Sequence, residues 1–297
     1  MSIKLLLEKA YWHLFKVMPA EMILKKKWDA FYKVEQLYYG HEYDLGCIGG
    51  DAENDDSRQI WFYWNTDLSS APIIVKKCYE ALMRNIPEGW NVRLLTEETA
   101  KDYIQLPDFV EQLKNGGKMW YPLYADLIRL ALLYKYGGIW CDATCYLTQP
   151  IPKCIIEAPL FMFSYDGLLN SMPTKYENWF IRAEKDNYVI KCILQYLLYY
   201  WSVPKKSQEY FVWFHLQTAL YKHDNKAREL MDAMPFFYNY DAMLIHLHYG
   251  FEHPYTEKLW EQIQTNCFVQ KLTHKYNQSI EIMEGENLLQ HIIRSDK

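Results

Sequence analysis

Asp126, Arg129 and Asp142 are the residues of this chain whose types and spacing could do chemistry together. Asp126 and Arg129 stand three apart in YADLIRLALLYKY, so on a helix they share one face. Arg129 borders the apolar stripe of Leu123, Leu127, Leu130, Ala131 and Tyr134, which predicts a partly buried pair. Gly137-Gly138 ends that helix, and Ile139-Trp140-Cys141 reads as a short strand. Asp142 then falls at the strand's C-terminal end, where ligands of open α/β sheets bind. Carboxylates accept hydrogen bonds from sugar hydroxyls, and a guanidinium donates to hydroxyl or phosphate oxygens. The set therefore suits a polyol attached to a diphosphate. The pattern alone fits at least as well an internal Asp126–Arg129 salt bridge, with Asp142 an ordinary strand-end residue.

Those residues need a scaffold. Arg58 to Asn65 is a β-branched and aromatic run without helical period, which predicts a buried strand. Pro72 opens a helix to about Asn85, and Asn91–Leu95 reads as a second strand. Thr96 caps a further helix that Leu106-Pro107-Asp108 breaks. Tyr121–Tyr136 is the best-patterned helix. This βαβα order opens a parallel-sheet α/β domain. Beyond Pro150 the pattern predicts a strand at Leu160–Ser164, helices at Tyr188–Trp201 and Phe211–Tyr221, a strand at Met243–Tyr249 and a helix at Pro254–Gln264. His246 and His248 would share a face of that strand, but no third ligand joins them with His253, so they read as structural.

Composition narrows the class. The chain has 297 residues, half of them hydrophobic, which excludes a mainly disordered protein. A net charge of −5 argues against broad nucleic-acid binding. Seven cysteines with no CxxC argue against a disulfide framework and a zinc site, and fit a reducing cytoplasm. The charged opening lacks the pattern of a secretory signal, and the apolar stretch Tyr188–Val203 is too short to span a bilayer. Residues 1–33 carry seven Lys against three acids, and residues 1–39 read as an amphipathic helical arm. That arm either lies on an anionic membrane, with Trp12 and Phe15 dipping in, or packs on the domain. Residues 40–57 read as a Gly- and acid-rich loop. Aromatic residues make up 17% of the chain, enough for a bulky core and for stacking platforms as well.

The block YADLIRLALLYKYGGIWCDAT resembles the signature of the capsular polysaccharide synthesis glycosyltransferases. These are bacterial enzymes related to DXD-motif mannosyltransferases and, more remotely, to the glucosylating clostridial toxins. QIWFYWN, APIIVKKC, LPDFVEQLKNGGKM, NWFIRAEKDNYVI, YFVWFHLQTAL and VQKLTHK agree, in family order, over residues 58–276. The resemblance implies a GT-A fold, a Rossmann-like mixed sheet flanked by helices, preceded here by an N-terminal helical extension. Residues 1–57 would form the arm and acidic loop and 58–297 the glycosyltransferase domain. Within it, 58–150 would be the nucleotide-sugar half and 151–297 the acceptor half.

By the same resemblance, Asp126 and Arg129 hold the donor sugar and Asp142 takes the first acidic position of a DXD-like motif. Trp61 sits where a first-strand aromatic stacks on the nucleotide base, a role that any flat ring can fill. The third motif position is Thr144, and a hydroxyl is a weaker ligand than a carboxylate for Mn²⁺ or Mg²⁺ at Asp142. Arg129 or Lys271 would then help neutralise the leaving diphosphate. Asn178, His215 and Lys271 match blocks expected to border the acceptor or the diphosphate. The implied partners are a nucleotide-diphosphate sugar and a lipid-linked glycan acceptor, in the bacterial cytoplasm or at the inner face of its membrane. The alternatives are a catalytically inactive scaffold, since the motif holds one carboxylate, and a nucleotidyltransferase. The loop NTDLSSAP, without Gly, Lys or Arg, counts against the second.

Overall fold

The computed structural model describes residues 20–50, 58–165, 173–204 and 208–294. Among the described residues there are seven strands: β1 (Gln59–Tyr63), β2 (Asn91–Leu95), β3 (Gly138–Asp142), β4 (Cys145–Leu147), β5 (Leu160–Ser164), β6 (Tyr176–Ala183) and β7 (Val269–Lys271). The longer helices used below are α1 (Ala20–Tyr38), α2 (Ile73–Arg84), α3 (Tyr121–Tyr136), α4 (Tyr188–Ser202), α5 (Val212–His223), α6 (Glu257–Asn266) and α7 (Leu288–Arg294). Five strands form one sheet in the order β2-β1-β3-β6-β5, and β4 pairs with β7 in a separate ribbon. β1 runs parallel to β2 and β3, whereas β6 is antiparallel to β3 and to β5. This is the mixed sheet flanked by helices that the resemblance implies. The two proposed halves of the domain share it, since β5 and β6 complete the sheet that β1–β3 begin.

β1 shows why a continuous apolar run becomes a central strand. Alternate residues point to opposite faces. Ile60 and Phe62 join Ile139, Phe161 and Phe180 in a core covered by α2 and α7. Trp61 and Tyr63 join Trp140, Met162 and Ile181 in a second core under α3, α4 and α5. Every residue of β1 is buried.

The passage from α3 into β3 depends on two glycines with positive φ, +70° at Gly137 and +101° at Gly138. A Cβ on Gly138 would lie 2.4 Å from the Gln59 carbonyl oxygen, and one on Gly137 would lie 2.6 Å from the Lys185 amide nitrogen. Only glycine accepts both the torsion and the approach. The Trp61 indole N–H donates to the Gly137 carbonyl at 2.8 Å, pinning the turn from the neighbouring strand.

Two expectations change. Met243–Tyr249 is helical, not a strand: a 3₁₀ turn at Asp241–Met243 leads into a π-helical turn at Leu244–Tyr249. Short apolar segments carry too few residues for their period to choose between helix and strand. Of the two readings for the arm, packing on the domain holds from Ala20 onward. Val34 lies in the core, Phe31 is fully buried, and Glu35 pairs with Lys222 at 3.0 Å and His223 at 2.7 Å. Trp12 and Phe15, like residues 51–57 of the acidic loop, lie outside the described residues. No helix among the described residues is long and apolar enough to cross a membrane. All seven cysteines are free thiols.

Candidate functional site

Asp142 ends β3 directly opposite Tyr63 of β1. Its Oδ1 accepts from the Trp140 indole N–H at 2.7 Å and lies 3.2 Å from Arg129 Nη2. Its Oδ2 accepts from Lys271 Nζ at 2.7 Å. α3 brings Arg129 over the Trp140 ring, 5.0 Å from its centroid, where the guanidinium gains a cation–π contact. Behind Arg129, its Nη2 lies 3.4 Å from Asp126 Oδ1, which also accepts from Asn178 Nδ2 at 3.1 Å. Arg129 Nη1 donates in turn to the Asn178 carbonyl. Lys271 arrives from β7 because that strand pairs with β4, placing Lys271 opposite Cys145. Its Nζ also donates to Thr144 Oγ1 at 2.7 Å.

The two carboxylates differ in charge. Burial raises the Asp126 pKa to about 7; the Arg129 charge opposes that rise and the Asp142 charge adds to it. For Asp142, burial also raises the pKa, but Arg129 and Lys271, with hydrogen bonds from Lys271 and Trp140, outweigh it and leave the value below the usual carboxylate range. Lys271 is shifted up: burial disfavours its charge, and Asp142 more than restores it. At neutral pH the strand end therefore holds an ionised carboxylate between two cations.

Of these groups, Arg129, Trp140, Asp142, Thr144 and Lys271 line the floor of a cleft of about 570 Å³, a size suited to a small-molecule ligand. Trp64, Tyr121 and Tyr210 wall it, and the segment Leu272–Lys275 forms its rim. His274 sits edge-on to Trp64, with ring centroids 5.4 Å apart. Burial lowers the His274 pKa, and the Lys275 and Lys271 charges lower it further, so the ring is neutral at pH 7.

The sequence profile of a family described as capsular polysaccharide synthesis protein matches residues 23–292. The chain belongs to that family. Curated relatives of this family member include the O-glycosyltransferase braB of Annulohypoxylon truncatum, 27% identical over 159 residues, or 49% of this chain and 38% of that protein. Another is the glycosyltransferase afumC of Aspergillus fumigatus, 27% identical over 156 residues, or 46% of this chain and 39% of that protein. The match thus spans less than two fifths of the length of either relative. Among solved structures, PaToxG Glycosyltransferase overlays with a TM-score of 0.40 at 14% identity, over 69% of this chain and 81% of its own.

In this family member Asp126, Arg129, Asp142, Thr144, Asn178 and Lys271 form one connected network. Arg129, Asp142, Thr144 and Lys271 reach the cleft; Asp126 and Asn178 stand behind Arg129 and orient it. Two expected site residues lie elsewhere. Trp61 is fully buried, edge-on to Tyr103 at 5.3 Å, and offers no face to a base. Enclosing a large apolar side chain stabilises by about 1.5–3 kcal/mol, which a ring standing in an open cleft forgoes. His215 lies inside α5, edge-on to Phe31 of α1 at 6.0 Å and 3.8 Å from Glu209, so the N-terminal helix covers it. Trp179, next to Asn178 on β6, points the other way and stacks on Phe163 in the core at 4.5 Å. The aromatic residues that do reach the cleft from this side are Tyr63 and Trp64. Their signal was their place at the C-terminal end of β1, two or three residues beyond Trp61.

The divalent cation implied by the resemblance does not fit these residues. Both Asp142 oxygens are occupied by cationic or N–H donors, and the Thr144 hydroxyl faces the Lys271 ammonium. Among the described residues no three His, Cys, Asp or Glu side chains gather as a metal site.

Proposed function

We propose that this protein transfers a sugar from a nucleotide-diphosphate sugar to a glycan acceptor, in the synthesis of capsular or other cell-surface polysaccharide. One observation carries the reading: ionised Asp142, at the C-terminal end of β3 and between Arg129 and Lys271, lies on the floor of an aromatic-walled cleft. Family membership and the names of the relatives support it. Asp142 receives donor hydroxyls, Arg129 and Lys271 face the diphosphate, and Asp126 with Asn178 holds the guanidinium in place. Trp64, Tyr121 and Tyr210 give flat surfaces for a base or a sugar ring. Catalysis rests on positioning the acceptor hydroxyl and stabilising the departing diphosphate. A hexose donor, retention of anomeric configuration, a lipid-linked acceptor and a seat on the inner face of the cytoplasmic membrane rest on the family resemblance. For the membrane contact, exposed Lys25 and Lys26 of α1 add a basic surface.

The test is a panel of UDP-, GDP- and CDP-sugars, followed by melting temperature and by release of nucleoside diphosphate. At least one donor is expected to raise the melting temperature and to be turned over. Asp142→Asn is expected to lower that turnover by about 100-fold or more, with an unchanged circular dichroism spectrum. If no donor binds, the reading falls to an inactive scaffold. Formation of pyrophosphate in place of nucleoside diphosphate would reassign the chain to nucleotidyl transfer.

A further inference from the structure

We propose that the Lys271 ammonium, and not a divalent cation, is the charge that receives the donor diphosphate beside Asp142. The inference rests on the sugar-transfer reading above and deepens it.

Lys271 stands between the first and third residues of Asp142-Ala143-Thr144, 2.7 Å from Asp142 Oδ2 and 2.7 Å from Thr144 Oγ1. Those are the two side-chain oxygens that the motif would offer a metal, and one ammonium already bridges them. The other oxygen of Asp142 is held by Trp140 and Arg129. A Mg²⁺ ion bound to Asp142 Oδ2 at about 2.0–2.1 Å would stand directly against the Lys271 charge.

The arrangement is built into the backbone. β4 follows Asp142-Ala143-Thr144 directly and pairs with β7, and the Leu272 amide donates to the Thr144 carbonyl at 2.8 Å. The Lys271 side chain is 17% exposed and lines the cleft, so its position is packed while its head faces the ligand space. An ammonium has three N–H donors. Two are used by Asp142 and Thr144, and the third is left for a phosphate oxygen. Burial disfavours the lysine's charge, but the Asp142 carboxylate restores it, so Lys271 is cationic at neutral pH. In the transfer, the bond between the anomeric carbon and the phosphate oxygen breaks, and its electron pair stays on that oxygen. The acceptor oxygen bonds to the anomeric carbon, and its proton passes to the departing diphosphate. Lys271 and Arg129 balance the charge that develops there, the role a metal has elsewhere.

Calorimetry with UDP, GDP and CDP on the full chain, once in EDTA and once in Mn²⁺, tests this. At least one nucleotide is expected to bind in EDTA with an affinity within about threefold of that in Mn²⁺. Lys271→Met is expected to weaken that binding about tenfold or more, and Lys271→Arg, which keeps the charge, to recover most of it. Circular dichroism on each variant separates loss of binding from loss of fold, and the EDTA comparison needs no variant. Binding that requires Mn²⁺, or that survives Lys271→Met unchanged, overturns the inference while the sugar-transfer reading stands. No binding of any of the three nucleotides under either condition overturns both.

Discussion

At its N-terminal end β3 is entered through Gly137 and Gly138, whose backbone presses against Gln59 and Lys185 and is held by the indole of Trp61. At its C-terminal end, four residues on, Asp142 meets Arg129 and Lys271 at the floor of an open cleft. The first end is close-packed backbone with no room for one more atom. The second is charged, and its geometry depends on keeping both cations against one carboxylate. The ends are linked: Arg129 on α3 and Asp142 on β3 are joined in sequence through the two-glycine turn alone. A turn fixed by packing therefore sets the distance across which the charges act.

The largest effect is expected at the packed end. In Gly138→Ala the new Cβ would sit 2.4 Å from the Gln59 carbonyl oxygen, at a φ of +101° that alanine rarely adopts. The strand must shift, so we expect a loss of about 3 kcal/mol or more, read as a lowered denaturation midpoint. A loss below about 1 kcal/mol would show that the turn relaxes, and the contrast between the two ends would lose its basis.

The charged end is tested by pH. Asp126 has a folded-state pKa of about 7 against an ordinary value of 3.8, so the folded protein holds a proton there that the unfolded chain has released. The stability that this neutral acid confers is full below the unfolded value and is lost as pH rises through about 7. Asp126→Asn removes the titration. Between pH 5 and pH 8 the stability of the variant relative to the parent is expected to improve by about 2 kcal/mol. A difference that stays flat with pH would mean that Asp126 remains ionised throughout, and that Arg129 balances two charges, not one.

Much of the charged end was legible in the sequence because its signals are local. The Asp126–Arg129 spacing, the glycine pair and the strand that follows all lie within 17 consecutive residues, 126–142. The central place of β1 was legible too, since a strand buried on both faces reads as an unbroken apolar run. What escaped depended on distance or direction. Lys271 was named through the family resemblance, but its contact with Asp142, 129 residues away, comes only from the pairing of β7 with β4. His215 was a candidate only through the family resemblance, and α1 closes over it, a contact between segments that the sequence does not link. Trp61 was assigned by the resemblance, whereas its place in mid-strand decides its fate: ligands meet the strand end, where Tyr63 and Trp64 stand.

Trp61 also supplies the smallest effect and the sharpest comparison of the two ends. Trp61→Phe keeps an aromatic ring in the core but removes the N–H that donates to the Gly137 carbonyl. A buried carbonyl is left short of a donor, so stability is expected to fall by about 1 kcal/mol. Nucleotide affinity is expected to change by less than about twofold, because no part of this ring faces the cleft. Trp64→Leu is expected to do the reverse, weakening nucleotide binding about fivefold or more through loss of a stacking surface, with little change in stability. Should Trp61→Phe weaken binding as much as Trp64→Leu while leaving stability intact, the indole would be a ligand platform after all. The packed end of β3 would then have to open when nucleotide binds.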